Sequence, residues 1–162
     1  MTEHKPHDPK HAHMSLAPEE FSTRLFSPRG RYSGHRAGQI VHSDVVGPIN
    51  EEFFREFGPR LHEFYAAVRA DGSFAAVTHF HESMLMSPRA LDAFTVLITD
   101  LVHKGIGAAA VAYVADPEVE GRWIMEQTIT SKIVRPLGFP FRLFERVDAA
   151  EQWARDQLAQ PS

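Results

Sequence analysis

Two nearly continuous apolar segments constrain the fold of this chain more than any other feature. They are residues 74–80 (FAAVTHF) and 108–114 (AAAVAYV). A strand that is apolar along its whole length is typical of a position buried on both faces, which is usual in parallel sheets. Parallel neighbours need a long crossover between them, most often a helix. The pair therefore predicts a parallel α/β core with helices on both sides of the sheet.

The segment between these strands has the pattern of such a crossover helix. Ser87 and Pro88 form a helix start, because serine accepts from free amides and proline fits the first helical position. Gly105 is placed to end the helix in a left-handed conformation. Apolar residues repeat at helical spacing along the face predicted to meet the sheet: Leu91, Phe94, Leu97, Ile98 and Leu101.

The region before the first buried strand predicts a hairpin followed by a long helix. β-prone runs at 32–35 and 39–46 are separated by residues 36–38 (RAG), which favour a turn. Asn50 is the predicted N-cap of the helix, and the helix pattern reaches Asp71 and Gly72, where a turn is predicted. Pro59 lies inside this pattern and predicts a kink or a break.

The last third predicts one more helix, strand and helix. Residues 117–137 have a helical pattern ended by Pro136 and Gly138, and residues 141–144 form a short strand. Asp148 and Glu151 have the spacing of a capping box for the closing helix. The predicted order is ββαβαβαβα, a mixed and mostly parallel sheet of about five strands with about four flanking helices.

Length and composition favour one domain preceded by a tail. Residues 1–30 are rich in histidine and proline and predict a flexible lead-in, whereas residues 31–160 predict the domain. The formal charge of -4 argues against nucleic-acid binding, and the absence of cysteine excludes thiolate chemistry. Without an apolar run long enough for a membrane span or a signal peptide, we expect a cytoplasmic protein.

This layout resembles the STAS fold of bacterial anti-sigma-factor antagonists, in particular its SpoIIAA-like branch. The resemblance covers about residues 31–158 and is carried by the opening hairpin, residues 46–50 (VGPIN), the strand and serine-capped helix at 74–87, and residues 144–153 (FERVDAAEQW). It implies a regulatory module that binds a protein partner. It also implies a fold in common with proteins at membrane edges, which leaves peripheral membrane contact as an alternative.

In signalling members of that family, an Asp-Ser-Ser-Gly motif at the start of the second long helix carries a phosphorylated serine. The matching stretch here is Met84, Leu85, Met86, Ser87 and Pro88, so Ser87 alone supplies the hydroxyl. The resemblance thus implies Ser87 as a phosphosite, and a helix N-terminus favours phosphate electrostatically. The alternative is that Ser87 is only an N-cap.

The same loop is the predicted binding region. Ligands in parallel sheets favour the crevice beyond the carboxyl ends of the strands. Met84, Leu85 and Met86 offer an adaptable apolar surface there, with Tyr113 on the neighbouring strand, although packing under the helices is the simpler interpretation. We therefore expect a protein partner or a small apolar ligand near Ser87, with a homodimer as a further alternative.

A rival hypothesis is a metal-binding protein, or a metal-assisted or acid-base enzyme. His79 and His81 share one face of a strand, and Glu82 follows them directly. The sequence identifies no third ligand, and His42, His62 and His103 are candidates only if folding brings them close. Residues 105–110 (GIGAAA) match a dinucleotide pattern but close a helix and enter a strand, which is the wrong context. The missing catalytic motifs favour a non-enzymatic protein without a cofactor.

Overall fold

The computed structural model describes residues 13–15 and 30–160. These residues form an α/β fold around one six-stranded sheet, in which the strands follow one another in sequence order from edge to edge. The strands are β1 (His13–Ser15), β2 (Arg31–Ala37), β3 (Ile40–Val46), β4 (Ala75–His81), β5 (Ala110–Val114) and β6 (Phe141–Phe144).

The predicted sheet is confirmed, with one strand more than expected. β2 and β3 form the antiparallel hairpin, and the turn lies at Gly38 and Gln39, slightly later than predicted. β3, β4, β5 and β6 are parallel neighbours, so the two apolar segments lie side by side in one direction. The extra strand β1 pairs antiparallel with β2 inside the predicted lead-in. The rest of the lead-in lies outside the described residues, and the domain division stays a prediction.

The helices match the predicted number when the third is taken with its continuation. They are α1 (Glu51–Ala70), α2 (Pro88–His103), α3 (Arg122–Ile129) and α5 (Val147–Ala159). A π-helical turn at Thr130–Val134 and a short helix, α4 (Arg135–Leu137), extend α3. Asn50 caps α1 as predicted, since its side chain accepts from the Phe53 amide at 3.1 Å. α1 runs through Pro59 without a break, so the predicted break is wrong, whereas the alternative of a kink stays a prediction.

Two predicted helix starts are corrected by the structure, one by a tertiary contact and one by local hydrogen bonds. α3 begins five residues later than predicted, because the segment before it is held by the loop after β4: the Met84 amide donates to the Glu120 carbonyl at 2.8 Å. The capping box of α5 is also wrong. The Asp148 carboxylate accepts from the Arg146 guanidinium and the Ala149 amide, and Arg146 is the N-cap residue.

The sheet has a different core on each face. On one face α1, α2 and α3 pack against β2 to β6 around a large aromatic cluster that includes Phe53, Phe57 and Phe74. On the other face α5 covers β4 and β5, where small residues such as Ala112 and Ala154 allow close approach. Helices therefore cover both sides of the two apolar strands, as predicted. Gly105 ends α2 with a φ of 74°, which confirms that the glycine-rich stretch closes a helix and leads into β5.

Candidate functional site

The face of the sheet that packs against α5 also carries polar side chains, on strands β2, β3 and β4. Five polar side chains lie there on neighbouring strands, at least partly exposed to solvent: His35, His42, Asp44, His79 and His81. The imidazoles of His35 and His42 stack with ring centroids 5.1 Å apart. His42 also approaches Glu151 on α5, with 3.6 Å between Nε2 and Oε1.

Three of these side chains form a compact cluster. Asp44 lies opposite His79 in the parallel register of β3 and β4, and alternation along β4 places His81 on the same face. One ligand atom from each of the three residues lies within 4.8 Å of the others. His81 Nε2 is 2.8 Å from Asp44 Oδ1, and the rings of His79 and His81 have centroids 4.2 Å apart.

Burial and the neighbouring His81 determine the protonation of His79. Desolvation lowers the pKa of His79, and the nearby His81 lowers it further, whereas the carboxylates of Asp44 and Asp116 act in the opposite direction. Desolvation also lowers the pKa of His42, against the opposing effect of Glu151. Both imidazoles therefore favour the neutral form, in which a ring nitrogen keeps its lone pair.

The structure changes the membership of the predicted metal set. Among the described residues, the cluster contains His79 and His81 but not Glu82, which is exposed and has a φ of 65°. The carboxylate of the cluster belongs to Asp44 instead. Two other candidates lie elsewhere. His62 on α1 is hydrogen-bonded to Asp100, with 2.8 Å between Nε2 and Oδ2, and His103 is the last residue of α2. The sequence contained one signal for Asp44, the alternation of His42 and Asp44 along a strand.

The loop after β4 is fixed on both sides. Its backbone forms parallel bridges from Met86 to Ile49 and from Ser83 to Glu120. The Ser83 hydroxyl donates to Glu120 Oε1 at 2.8 Å and accepts from the Leu85 amide at 3.1 Å. This loop is therefore a rigid part of the carboxyl edge of the sheet.

The predicted binding residues of this region have different surroundings. Met84 is 1% exposed and belongs to the core. Met86 and Tyr113 line an apolar cavity of about 90 Å³ between the sheet and α1 and α2. Leu85 is half-buried and contacts Gly121, and Ser87 is exposed. The role of these residues in binding stays a prediction.

Ser87 caps α2, since its hydroxyl accepts from the Ala90 amide at 3.1 Å. Ser87→Ala removes this acceptor and is expected to lower the free energy of unfolding by about 1 kcal/mol, whereas Ser87→Asp keeps the acceptor and is expected to change it by less. Chemical denaturation of the two variants measures the difference. Equal stability of Ser87→Ala and the parent chain would contradict the capping role.

Sequence reasoning missed the exposed apolar start of α3. Trp123 is 69% and Ile124 is 65% exposed, although the pattern of 117–137 suggested an ordinary amphipathic helix. They follow Gly121, which adopts a left-handed conformation against Leu85. We call Leu85, Ser87, Trp123 and Ile124 the carboxyl-edge surface.

Exposed carboxylates lie in the two loops beside this surface. Glu82 follows β4, and Asp116, Glu118 and Glu120 precede α3. The Arg122 guanidinium turns back toward the sheet, where its Nε donates to the Ala115 carbonyl at 3.1 Å. The surroundings of the apolar residues are therefore mainly acidic.

Comparisons with known proteins gave one structural likeness. No protein-family profile matches the chain, and no curated protein matches it. The chain is similar to the crystal structure of an anti-sigma factor antagonist from Mycobacterium paratuberculosis, with a TM-score of 0.47 and 19% identity, over 78% of this chain and 95% of that chain. No helix in the described part of the chain has the length and hydrophobicity needed to cross a membrane.

Proposed function

We propose that this chain is a non-enzymatic regulatory module that binds a protein partner at the carboxyl-edge surface. The observation that carries the proposal is the exposure of Trp123 and Ile124, adjacent large apolar side chains, beside a rigid loop. Tryptophan is enriched in the energetic centres of protein interfaces, because its burial removes a large apolar area from water.

Rigidity of the surface supports this proposal. Leu85 is held by backbone and side-chain hydrogen bonds, and α3 begins directly against it. A preorganised surface loses little conformational entropy on binding, so more of the contact energy appears as affinity.

The charge around the surface indicates the chemistry of the partner. Four exposed carboxylates lie in the adjoining loops. We propose that the partner presents an apolar pocket with a basic rim, because complementary charges accelerate association and disfavour partners of the wrong sign. Association is then expected to slow as ionic strength rises.

The cavity lined by Met86 and Tyr113 is a weaker candidate site for a small apolar ligand. Its volume of about 90 Å³ is smaller than the roughly 150 Å³ of an engineered cavity that binds benzene. A lipid chain would need the helices to move apart. The size of the cavity therefore argues against a bulky ligand at this position.

Within the same proposal, Ser87 is the position where phosphorylation would regulate binding. Its side chain is exposed at the start of a 16-residue helix, so a phosphate would meet free amides and the positive end of the helix dipole. The added negative charge would lie on the surface itself. Comparing partner binding by Ser87→Asp and Ser87→Asn tests this, since both residues are good N-caps and differ in charge.

Site-specific photo-crosslinking tests the partner proposal. A benzophenone amino acid replaces Ile124 in the full chain, and in the control it replaces the exposed Gln152 on α5. The experiment is performed in the cells that encode the protein. We expect one protein adduct from position 124, none from position 152, and loss of the first adduct when Trp123→Ala is added.

Three results would contradict the proposal. They are the absence of an adduct at position 124, the same adducts from both positions, and an adduct with a second copy of the chain. The last would identify a homodimer instead of a separate partner.

A further inference from the structure

We propose that Asp44, His79 and His81 bind one divalent transition-metal ion, for which zinc is the best match. This site lies on the α5 face of the sheet, outside the carboxyl-edge surface, and its test is independent of the partner proposal. The three residues would supply two imidazole nitrogens and one carboxylate oxygen.

The sheet itself brings the ligands together. Asp44 and His79 are register partners on adjacent parallel strands, and His81 is the next residue of β4 on the same face. β3 and β4 are interior strands, each paired on both sides. A site built on such strands holds its ligands more accurately than a site built on loops.

The distances are close to those of a coordinated ion. Zinc bonds of about 2.0–2.1 Å in a tetrahedral arrangement place neighbouring ligand atoms about 3.3 Å apart. In the structure the three ligand atoms lie within 4.8 Å of one another, and Asp44 and His81 are at 2.8 Å. The His81 and Asp44 side chains are 40% and 52% exposed, so small rotations are sterically open to them.

The donor set selects the class of metal. Imidazole nitrogens suit zinc and its neighbours in the first transition row, whereas magnesium and calcium prefer oxygen ligands alone. Three protein ligands leave a fourth tetrahedral position for water or for a ligand atom from another molecule. The site would therefore bind zinc in an accessible form.

The competing explanation is an ordinary hydrogen bond between His81 and Asp44. That contact needs no contribution from His79, whereas a metal site with three ligands does. His79→Ala therefore distinguishes the two explanations, because it leaves the hydrogen bond intact and removes one ligand.

Zinc titration of the full chain by calorimetry tests the proposal. The background carries His4, His7, His11 and His13 replaced by glutamine, because histidine-rich tracts can bind metal ions by themselves. We expect one zinc ion per chain in this background. Cobalt is titrated in parallel, since a site with nitrogen and oxygen ligands gives it characteristic visible absorption.

Single substitutions locate the bound ion. Loss of an outer partner of a metal ligand typically weakens binding about 10- to 100-fold, so removing a ligand is expected to cost at least about 100-fold. We expect this loss for His79→Ala, His81→Ala and Asp44→Asn, and no change for His103→Ala, an exposed histidine on α2. Circular dichroism checks that each variant is folded.

Several outcomes would overturn the inference. They are the absence of stoichiometric zinc binding in the glutamine background, binding that survives His79→Ala, and an equal loss in the His103→Ala control.

Discussion

Replacing Gly47 with alanine is expected to prevent the chain from forming a stable native structure. A Cβ atom at this position would lie 2.2 Å from the carbonyl oxygen of Ser83 and 3.1 Å from its carbonyl carbon. Both are backbone atoms, and a separation under 3.0 Å requires one segment to move. The substitution therefore acts on the contact between the end of β3 and the loop after β4.

Hydrogen bonds hold both segments in place. The Gly47 amide donates to the His81 carbonyl at 3.3 Å, and the Ser83 amide donates to the same carbonyl at 2.7 Å. The Ser83 hydroxyl is bonded to Glu120 as well. Relieving the overlap would break several of these hydrogen bonds, so we expect a loss of more than about 4 kcal/mol, a large fraction of the stability of a typical domain.

Thermal and urea denaturation measure this effect, with Gly105→Ala as the matched control. Gly105 has a φ of 74° with open space around it, so alanine there is expected to cost only about 1–2 kcal/mol for the left-handed backbone. We expect Gly105→Ala to fold and Gly47→Ala to be largely unfolded. A Gly47→Ala variant as stable as the Gly105→Ala variant would show that the two segments are not in contact.

The three tyrosines are expected to ionise only when the protein unfolds in alkali. All three, Tyr32, Tyr65 and Tyr113, are buried. Burial raises the pKa of Tyr32 to about 12, against the opposing hydrogen bond with Ser43. Burial likewise raises the pKa of Tyr65 and of Tyr113 above the ordinary value of 10.0.

The direction of the pH effect follows from these shifts. In the unfolded chain each tyrosine loses its proton near pH 10, whereas the native protein keeps it to higher pH. The contribution to stability is therefore complete below pH 10 and is lost as the pH rises from 10 through about 12, where Tyr32 titrates in the folded state. With three tyrosines acting together, we expect unfolding within this range.

Ultraviolet absorbance of tyrosinate and far-ultraviolet circular dichroism, recorded on the same samples, test this. We expect the two signals to change together in one cooperative step. The chain in concentrated urea provides the control and is expected to titrate near pH 10. Ionisation of any tyrosine near pH 10 in a chain that keeps its native circular dichroism would contradict the described burial.

Local chemistry made much of the fold predictable. The segments that became β4 and β5 are continuously apolar, and such a pattern has few stable solutions other than a buried parallel pair. Asn50 and Ser87 were predictable as caps because each acts on an amide only three residues away. Where neighbours along the chain decide the structure, the sequence is informative.

The remaining features depend on contacts between distant segments. Asp44 joins His79 and His81 only through the register of β3 and β4, which no local pattern specifies. α3 starts late because Glu120 pairs with the loop after β4, and the exposure of Trp123 follows from where that helix then lies. Local patterns therefore pointed to the carboxyl end of β4, but they did not identify Asp44 or Trp123 as neighbours of that region.

The most direct test of the proposed function is calorimetric titration of the crosslinked partner, once purified, into the parent chain and two variants. Trp123→Ala removes the main apolar group of the carboxyl-edge surface, and Val96→Ala removes an equally exposed apolar group from α2 outside that surface. Loss of an interface centre typically costs about 2 kcal/mol or more. We expect Trp123→Ala to weaken binding at least about 30-fold and Val96→Ala to leave it unchanged; equal affinities for all three chains would contradict binding at this surface.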